Sequence, residues 1–346
     1  MADPPHVALG LLEDELAAEL PSHMRAFARA HAEHRTPPPA PLVARLASTL
    51  ETVLAALANE GLADRAVALL RLVAPFAIED DPSVAAIRAQ PPSWDGLVGL
   101  AAARDQASRA RFGIPSIELV HRLHGTHLEV GLDAPDGLSS AIAGWNDKTQ
   151  PLDAVEINDV WNSIATRLGL VGAVRIDRSA IARPRTFVIE PMREVIVVVP
   201  ALIDSPAARF AVLHELGHAA AALVSPAGIP RVVDEAAASY VARLAEPPSW
   251  LPPRWASELA VAARLRRTAL AAMLDDAECL LPALPQVPGR APPWALWHDP
   301  GAQAAYVLAE TIAERLRSDL GGNPPRGQFA RALTAERDRI DRRLVF

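Results

Sequence analysis

The residues best suited to chemistry lie in one short segment, His214-Glu215-Leu216-Gly217-His218. Residues four apart lie on the same face of an α-helix, so His214 and His218 can present two imidazoles to one cation. Glu215 is one position further round the helix, where its carboxylate can reach a water molecule held by that cation without being a ligand. The spacing therefore predicts a metal-binding helix with an acid–base residue beside it, and Zn²⁺ is the expected ion.

The alternative is a helix whose histidines are solvated, or hydrogen-bonded in the core without a metal. The apolar residues on both sides of the segment, 211–213 and 219–221, predict a largely buried helix. Burying two unpaired histidines and a glutamate there would be costly, which favours a bound ion.

A third protein ligand is expected close by, because catalytic zinc commonly has three protein ligands and one position for water. Asp234 and Glu235 begin the helical segment DEAAASY shortly after the first helix. We expect Glu235 to be the third ligand, with the shorter Asp234 as the alternative ligand or a helix cap. Ser239 lies one turn beyond Glu235, and we expect Ser239 and Asp234 to orient the ligands by hydrogen bonding. An ordinary first-turn acid, favoured by the helix dipole, is the other interpretation of Glu235.

The elements that must position these residues have their own signals. Ser205 and Pro206 are typical of a helix N-cap and first turn, and predict a helix that continues to about residue 224. A second helix is predicted over 232–244. Ahead of both, residues 186–190 and 194–199 are short and rich in β-branched side chains, which predicts a hairpin.

The rest of the chain is predicted to be helical, with proline-rich breaks. Helices are expected over 7–32, 41–59, 62–76, 94–112, 116–130, 153–168 and about 255–281, with two more near the C-terminus. A polar, turn-rich stretch over 133–151 predicts a division into an N-terminal helical region, 1–150, and a zinc-binding catalytic region, 151–346. The predicted fold class is mainly α, with a small β-hairpin or sheet beside the metal-binding helix.

Composition bears on partners and location. The net charge is −7 and no dense basic run is present, which argues against a nucleic-acid partner. The most apolar stretches are too short or too charged to cross a bilayer, and the N-terminus lacks the pattern of a signal peptide. The single cysteine, Cys279, permits no intrachain disulfide. These features predict a cytoplasmic protein without a membrane partner and leave its oligomeric state open.

The set His214, Glu215, His218 and Glu235 resembles the gluzincin arrangement of thermolysin-like zinc metallopeptidases. The segment 183–218, with RTFVIE and EVIVVVP ahead of FAVLHELGHA, is more particularly similar to the thimet oligopeptidase-like family. The resemblance implies a helical, zincin-like fold. It also implies that a strand ahead of the zinc helix lies along the peptide substrate, and 194–199 would be that edge.

The same family has a late histidine and a Gly-Tyr-rich segment that stabilise the tetrahedral intermediate. The segment WHDPGAQAAY, residues 297–306, is similar to it, which implies His298 and Tyr306 as oxyanion donors. Ala302 and Ala309 occupy positions where the family pattern favours tyrosine.

These observations predict a zinc metallopeptidase, with Glu215 as general base and then as proton shuttle to the leaving amine. The resemblance implies that its substrates are short peptides. Two alternatives remain open. One is a zinc hydrolase or tailoring enzyme that acts on a non-peptide amide or a dedicated biosynthetic substrate, which the alanines at 302 and 309 favour. The other is a non-catalytic zinc-binding homologue.

Overall fold

A computed structural model describes residues 5–33, 53, 62–79, 81–124, 154–180, 183–225, 228–244 and 300–341. The fold is mainly helical with a small three-stranded sheet, which confirms the predicted fold class. The helices are α1 Pro5–Ala32, α2 Ala63–Glu79, α3 Pro82–Arg88, α4 Trp94–Phe112, α5 Ser116–His124, α6 Ala154–Leu168, α7 Pro206–Ala222, α8 Arg231–Leu244, α9 Pro300–Leu320 and α10 Gln328–Asp341. The strands are β1 Ala173–Ser179, β2 Arg185–Glu190 and β3 Glu194–Pro200.

Local backbone and capping features determine where α7 begins and where α4 ends. The Ser205 side chain accepts a hydrogen bond from the Ala208 N–H at the start of α7, and Pro206 occupies the first turn. At the end of α4, Gly113 adopts the left-handed conformation, with a φ of 73°. The predicted helix starting at Pro206 and the predicted helix over 94–112 are both confirmed. The predicted helices over 41–59, apart from Val53, and over 255–281 lie outside the described residues.

The sheet has the strand order β1-β3-β2, with β1 parallel and β2 antiparallel to β3. The predicted hairpin is confirmed as β2 and β3, whereas β1 was not predicted. The expectation that 194–199 forms the substrate-binding edge is wrong, because β3 is the central strand. A strand with a neighbour on each side already uses its N–H and C=O groups in two ladders. The edge strand that contacts α7 is β2.

The two faces of the sheet are covered by different helices. Val195, Val197 and Val199 of β3 belong to the large core formed with α6, α7 and α8. Ile196 and Val198 point the other way and pack with Ala28 of α1. This alternation follows from the two-residue period of a β-strand. Helix α1, from the predicted N-terminal region, therefore packs directly on the sheet of the predicted catalytic region.

Helix α8 packs against both α7 and α9. Its buried surface includes the small residues Ala236, Ala237 and Ala238, and α7 contributes Ala219, Ala220 and Ala221. Short side chains on both helices permit a close approach of the two backbones. Among the described helices, none combines the length and apolar composition that a membrane span needs.

Candidate metal centre

Three side chains from two neighbouring helices converge at one point. His214 and His218 lie one turn apart on α7, and Glu235 lies in the first turn and a half of α8. Glu235 Oε2 is 3.0 Å from His214 Nε2 and 3.6 Å from His218 Nε2. The two imidazole rings are nearly perpendicular, at 89°, with centroids 4.8 Å apart. Within the part of the chain that the structure describes, this is the one group of three or more residues suited to hold a metal ion.

The two distances from Glu235 Oε2 fit ligands of one tetrahedral ion. One ligand atom from each of the three residues lies within 4.8 Å of the others. Two ligands at about 2.0–2.1 Å from a tetrahedral zinc are about 3.3 Å apart, and the distances from Glu235 Oε2 to the two Nε2 atoms lie on either side of that value. Two imidazoles and one carboxylate are also a donor set that catalytic zinc sites use. The residues present therefore fit Zn²⁺.

The charges at the site favour a cation. Burial lowers the pKa of His218, but the Asp234 and Glu235 carboxylates outweigh it and raise that pKa to about 10. Burial raises the pKa of Glu235, but His218 and His214 outweigh it and hold that pKa well below its usual range. Glu235 is only 2% exposed, so its negative charge is kept inside the protein. Without a metal ion a proton on His218 balances this charge, and a bound cation would take over that role.

Asp234 is placed to orient one of the histidines. Its Oδ2 atom lies 2.9 Å from Nδ1 of His218, on the opposite side of the ring from the Nε2 atom that faces Glu235. A carboxylate this close to Nδ1 favours a proton on that nitrogen, which leaves Nε2 for a metal. Glu235, and not Asp234, is therefore the carboxylate that groups with the two histidines as a set able to hold a metal ion.

Glu215 is held by a residue that no sequence pattern singled out. The Oγ1 atom of Thr186, on β2, lies 2.7 Å from the main-chain oxygen of Glu215 and 2.8 Å from its Oε2 atom. Glu215 is partly exposed, unlike the buried His214 beside it. The Glu215 carboxylate is therefore held against β2 and is accessible to solvent.

Ser239 belongs to a buried network behind the site. Its hydroxyl donates to Oε1 of Glu310 on α9, at 2.9 Å, and Arg243 forms an ion pair with the other Glu310 oxygen. The single hydroxyl proton of Ser239 is therefore used by Glu310. This bond joins α8 to α9, one turn beyond Glu235.

The N-terminal helices contact the site at the start of α8. The main-chain N–H of Arg231 donates to Nδ1 of His124, the last residue of α5, at 3.0 Å. The Arg231 side chain in turn places its Nε atom 3.7 Å from Oε1 of Glu235. His124 thus satisfies one of the N–H groups that a helix leaves without an internal partner.

Of the two predicted oxyanion donors, the structure describes only the helix that carries Tyr306. His298 lies outside the described residues. Tyr306 is in helix α9, which packs against α8, the helix that carries Glu235. Their roles stay predictions.

The chain matches no protein-family model and no curated protein.

Proposed function

We propose that this protein is a zinc-dependent hydrolase of the metallopeptidase type. The observation that carries the proposal is the convergence of His214, His218 and Glu235 on one point, with Glu215 on the same helix and partly open to solvent. When bound by these three residues, a zinc ion would polarise a substrate carbonyl and make a water molecule more acidic.

The surrounding residues would transfer the proton, orient a ligand and stabilise the negative charge. Glu215 accepts a proton from the attacking water and later delivers it to the leaving amine. Asp234 keeps the His218 ring in the orientation that directs Nε2 to the ion. His298 and Tyr306 are proposed to donate hydrogen bonds to the oxygen that becomes negatively charged during attack.

A peptide substrate is supported by the position of β2. Among the described strands, β1 and β2 each have a neighbour on one side only, and it is Thr186 of β2 that contacts Glu215. An extended peptide that paired with this edge would run past the general base. Short peptides are the proposed substrates.

The test combines metal analysis with hydrolysis of a peptide library, followed by mass spectrometry. Wild type is expected to retain about one zinc per chain and to cleave library peptides. Glu215→Gln is expected to keep its zinc but to lose at least about 100-fold in kcat, because the proton acceptor is removed.

Glu235→Gln is expected to lose zinc affinity, and Glu336→Gln is its matched control. Glu336 is also buried, but it lies on α10 and pairs with Arg315 and Arg339. Zinc binding without any hydrolysis of peptides by wild type would contradict the peptidase proposal. Hydrolysis of small amides but not of peptides would favour a dedicated non-peptide substrate.

A further inference from the structure

We propose that Thr186 is a positioning residue for Glu215, and that it determines which carboxylate oxygen faces the reacting water. This inference rests on the proposed function, since it concerns the general base of that reaction. The Thr186 hydroxyl is within hydrogen-bond distance of both the main-chain oxygen and the Oε2 atom of Glu215.

The strand fixes the direction of the Thr186 side chain. Along β2, Phe187 and Ile189 are buried against α1, whereas Val188 packs into the core that contains α7. Because side chains alternate along a strand, Thr186 shares the face of Val188 and reaches α7. Its β-branched side chain also restricts rotation about χ1. The hydroxyl is therefore presented to Glu215 by a rigid element.

The two contacts join Thr186 to the main chain of Glu215 and to the carboxylate at the end of its side chain. A threonine hydroxyl has one hydrogen, so the main-chain oxygen and Oε2 of Glu215 share it, and they can do so only while both stay beside β2. A glutamate that is partly exposed would otherwise sample several rotamers. Thr186 holds Oε2 against the strand, and Oε1 is the oxygen left for the attacking water.

The same strand also provides the edge on which we propose that the peptide lies. A single element would then set the position of the substrate backbone and the position of the general base. Catalytic groups must be held within about 0.5 Å of the productive geometry, and an error of about 1 Å can reduce the rate about 100-fold. We therefore expect the contact to act on turnover rather than on substrate binding.

The test compares Thr186→Val, which removes the hydroxyl at nearly constant shape, with Thr186→Ser, which keeps it. Thr186→Val is expected to lower kcat about 10- to 100-fold, with KM changed less than about twofold and zinc content unchanged. Thr186→Ser is expected to recover most of that loss. Thr334→Val is the matched control, since Thr334 donates to the Ala330 carbonyl on α10, and we expect wild-type kcat for it.

A second readout does not need activity. In the zinc-free protein, thermal unfolding of Thr186→Val, Glu215→Ala and the double variant forms a double-mutant cycle. The decrease in Tm of the double variant is expected to be smaller than the sum of the decreases of the two single variants. Each single substitution already removes the same contact.

Three results would overturn the role of Thr186 while leaving the proposed function in place. They are a Thr186→Val enzyme with wild-type kcat, a Thr186→Ser enzyme as slow as Thr186→Val, and an additive unfolding cycle. Equal turnover by wild type and Glu215→Gln would instead overturn the proposed function itself, and the catalytic role of Thr186 with it.

Discussion

Gly217 of α7 lies directly against the main chain of Ala238 of α8. A Cβ atom at position 217 would be 2.5 Å from the Ala238 Cα and 2.8 Å from its carbonyl oxygen. Gly217 immediately precedes His218, and Ala238 lies three residues beyond Glu235. The absence of a side chain at 217 therefore sets how closely the histidine-bearing helix approaches the glutamate-bearing helix.

Gly217→Ala is expected to separate these helices, because the added methyl group meets rigid backbone. Overpacking of this kind costs roughly 1–3 kcal/mol of stability, and we expect the zinc content to fall with it. Gly10→Ala in α1 is the control. A Cβ there meets no atom within 4 Å, so it should raise stability by about 0.5–1 kcal/mol. Thermal unfolding and metal analysis of both variants check this, and a Gly217→Ala protein with wild-type zinc content and Tm would contradict it.

Asp234→Asn is expected to weaken zinc binding about 10- to 100-fold, because the carboxylate that orients the His218 ring is replaced by a neutral amide. Competition with a chromogenic chelator measures the affinity. Asp177→Asn removes a carboxylate that pairs with Arg175 on β1 and should leave the affinity unchanged. Equal zinc affinities for wild type and Asp234→Asn would show that Asp234 does not support the ligand.

The stability of the zinc-free protein should fall as the pH rises and His218 loses its proton. The pKa of His218 is about 10 in the folded chain, against the ordinary 6.5, because Asp234 and Glu235 outweigh the effect of burial. A raised folded-state pKa contributes stability that is complete below pH 6.5 and is lost as the pH rises towards 10. The difference in Tm between zinc-free wild type and zinc-free Asp234→Asn should therefore be largest near pH 6 and shrink up to pH 10. A difference that grows with pH would contradict this assignment of charges.

Arg71 joins the N-terminal helices to the segment ahead of α8. Its buried guanidinium donates to the carbonyl oxygens of Leu123 and Gly228 and forms an ion pair with Asp341. Arg71→Met should cost about 3–5 kcal/mol, because it leaves buried acceptors and a carboxylate without their partner. Arg65→Met breaks an exposed ion pair with Glu13, which water screens, and should cost much less stability than Arg71→Met. Urea denaturation distinguishes the two, and similar losses would contradict the structural role of Arg71.

The parts of the fold that depend on local signals were predictable from the sequence. The α7 helix begins where Ser205 and Pro206 indicate, and α4 ends where Gly113 permits a left-handed residue. Strand β1 is not evident from the sequence because AVRIDRS is short and has three charged residues, and it gains its stability from pairing with β3. The same lack of topological information led to the wrong assignment of β3 as the edge strand.

In the candidate site, too, the features within one helix were predictable and the contacts between elements were not. The spacing of His214 and His218 is a property of one helix, and it was sufficient to predict their convergence. The choice of Glu235 needed only that the next helix pack close by, as it does through Gly217. The contact between Thr186 and Glu215 depends on how a strand packs against a helix, and no local pattern marks it.

The most direct test of the central claim is a crystal structure of the zinc-loaded protein, with anomalous diffraction recorded at the zinc absorption edge. The expected result is one ion about 2.0–2.2 Å from Nε2 of His214, Nε2 of His218 and a carboxylate oxygen of Glu235, with a further position open to solvent on the side of Glu215. An ion bound elsewhere, or one held by the two histidines with Glu235 more than about 4 Å away, would contradict the proposed centre.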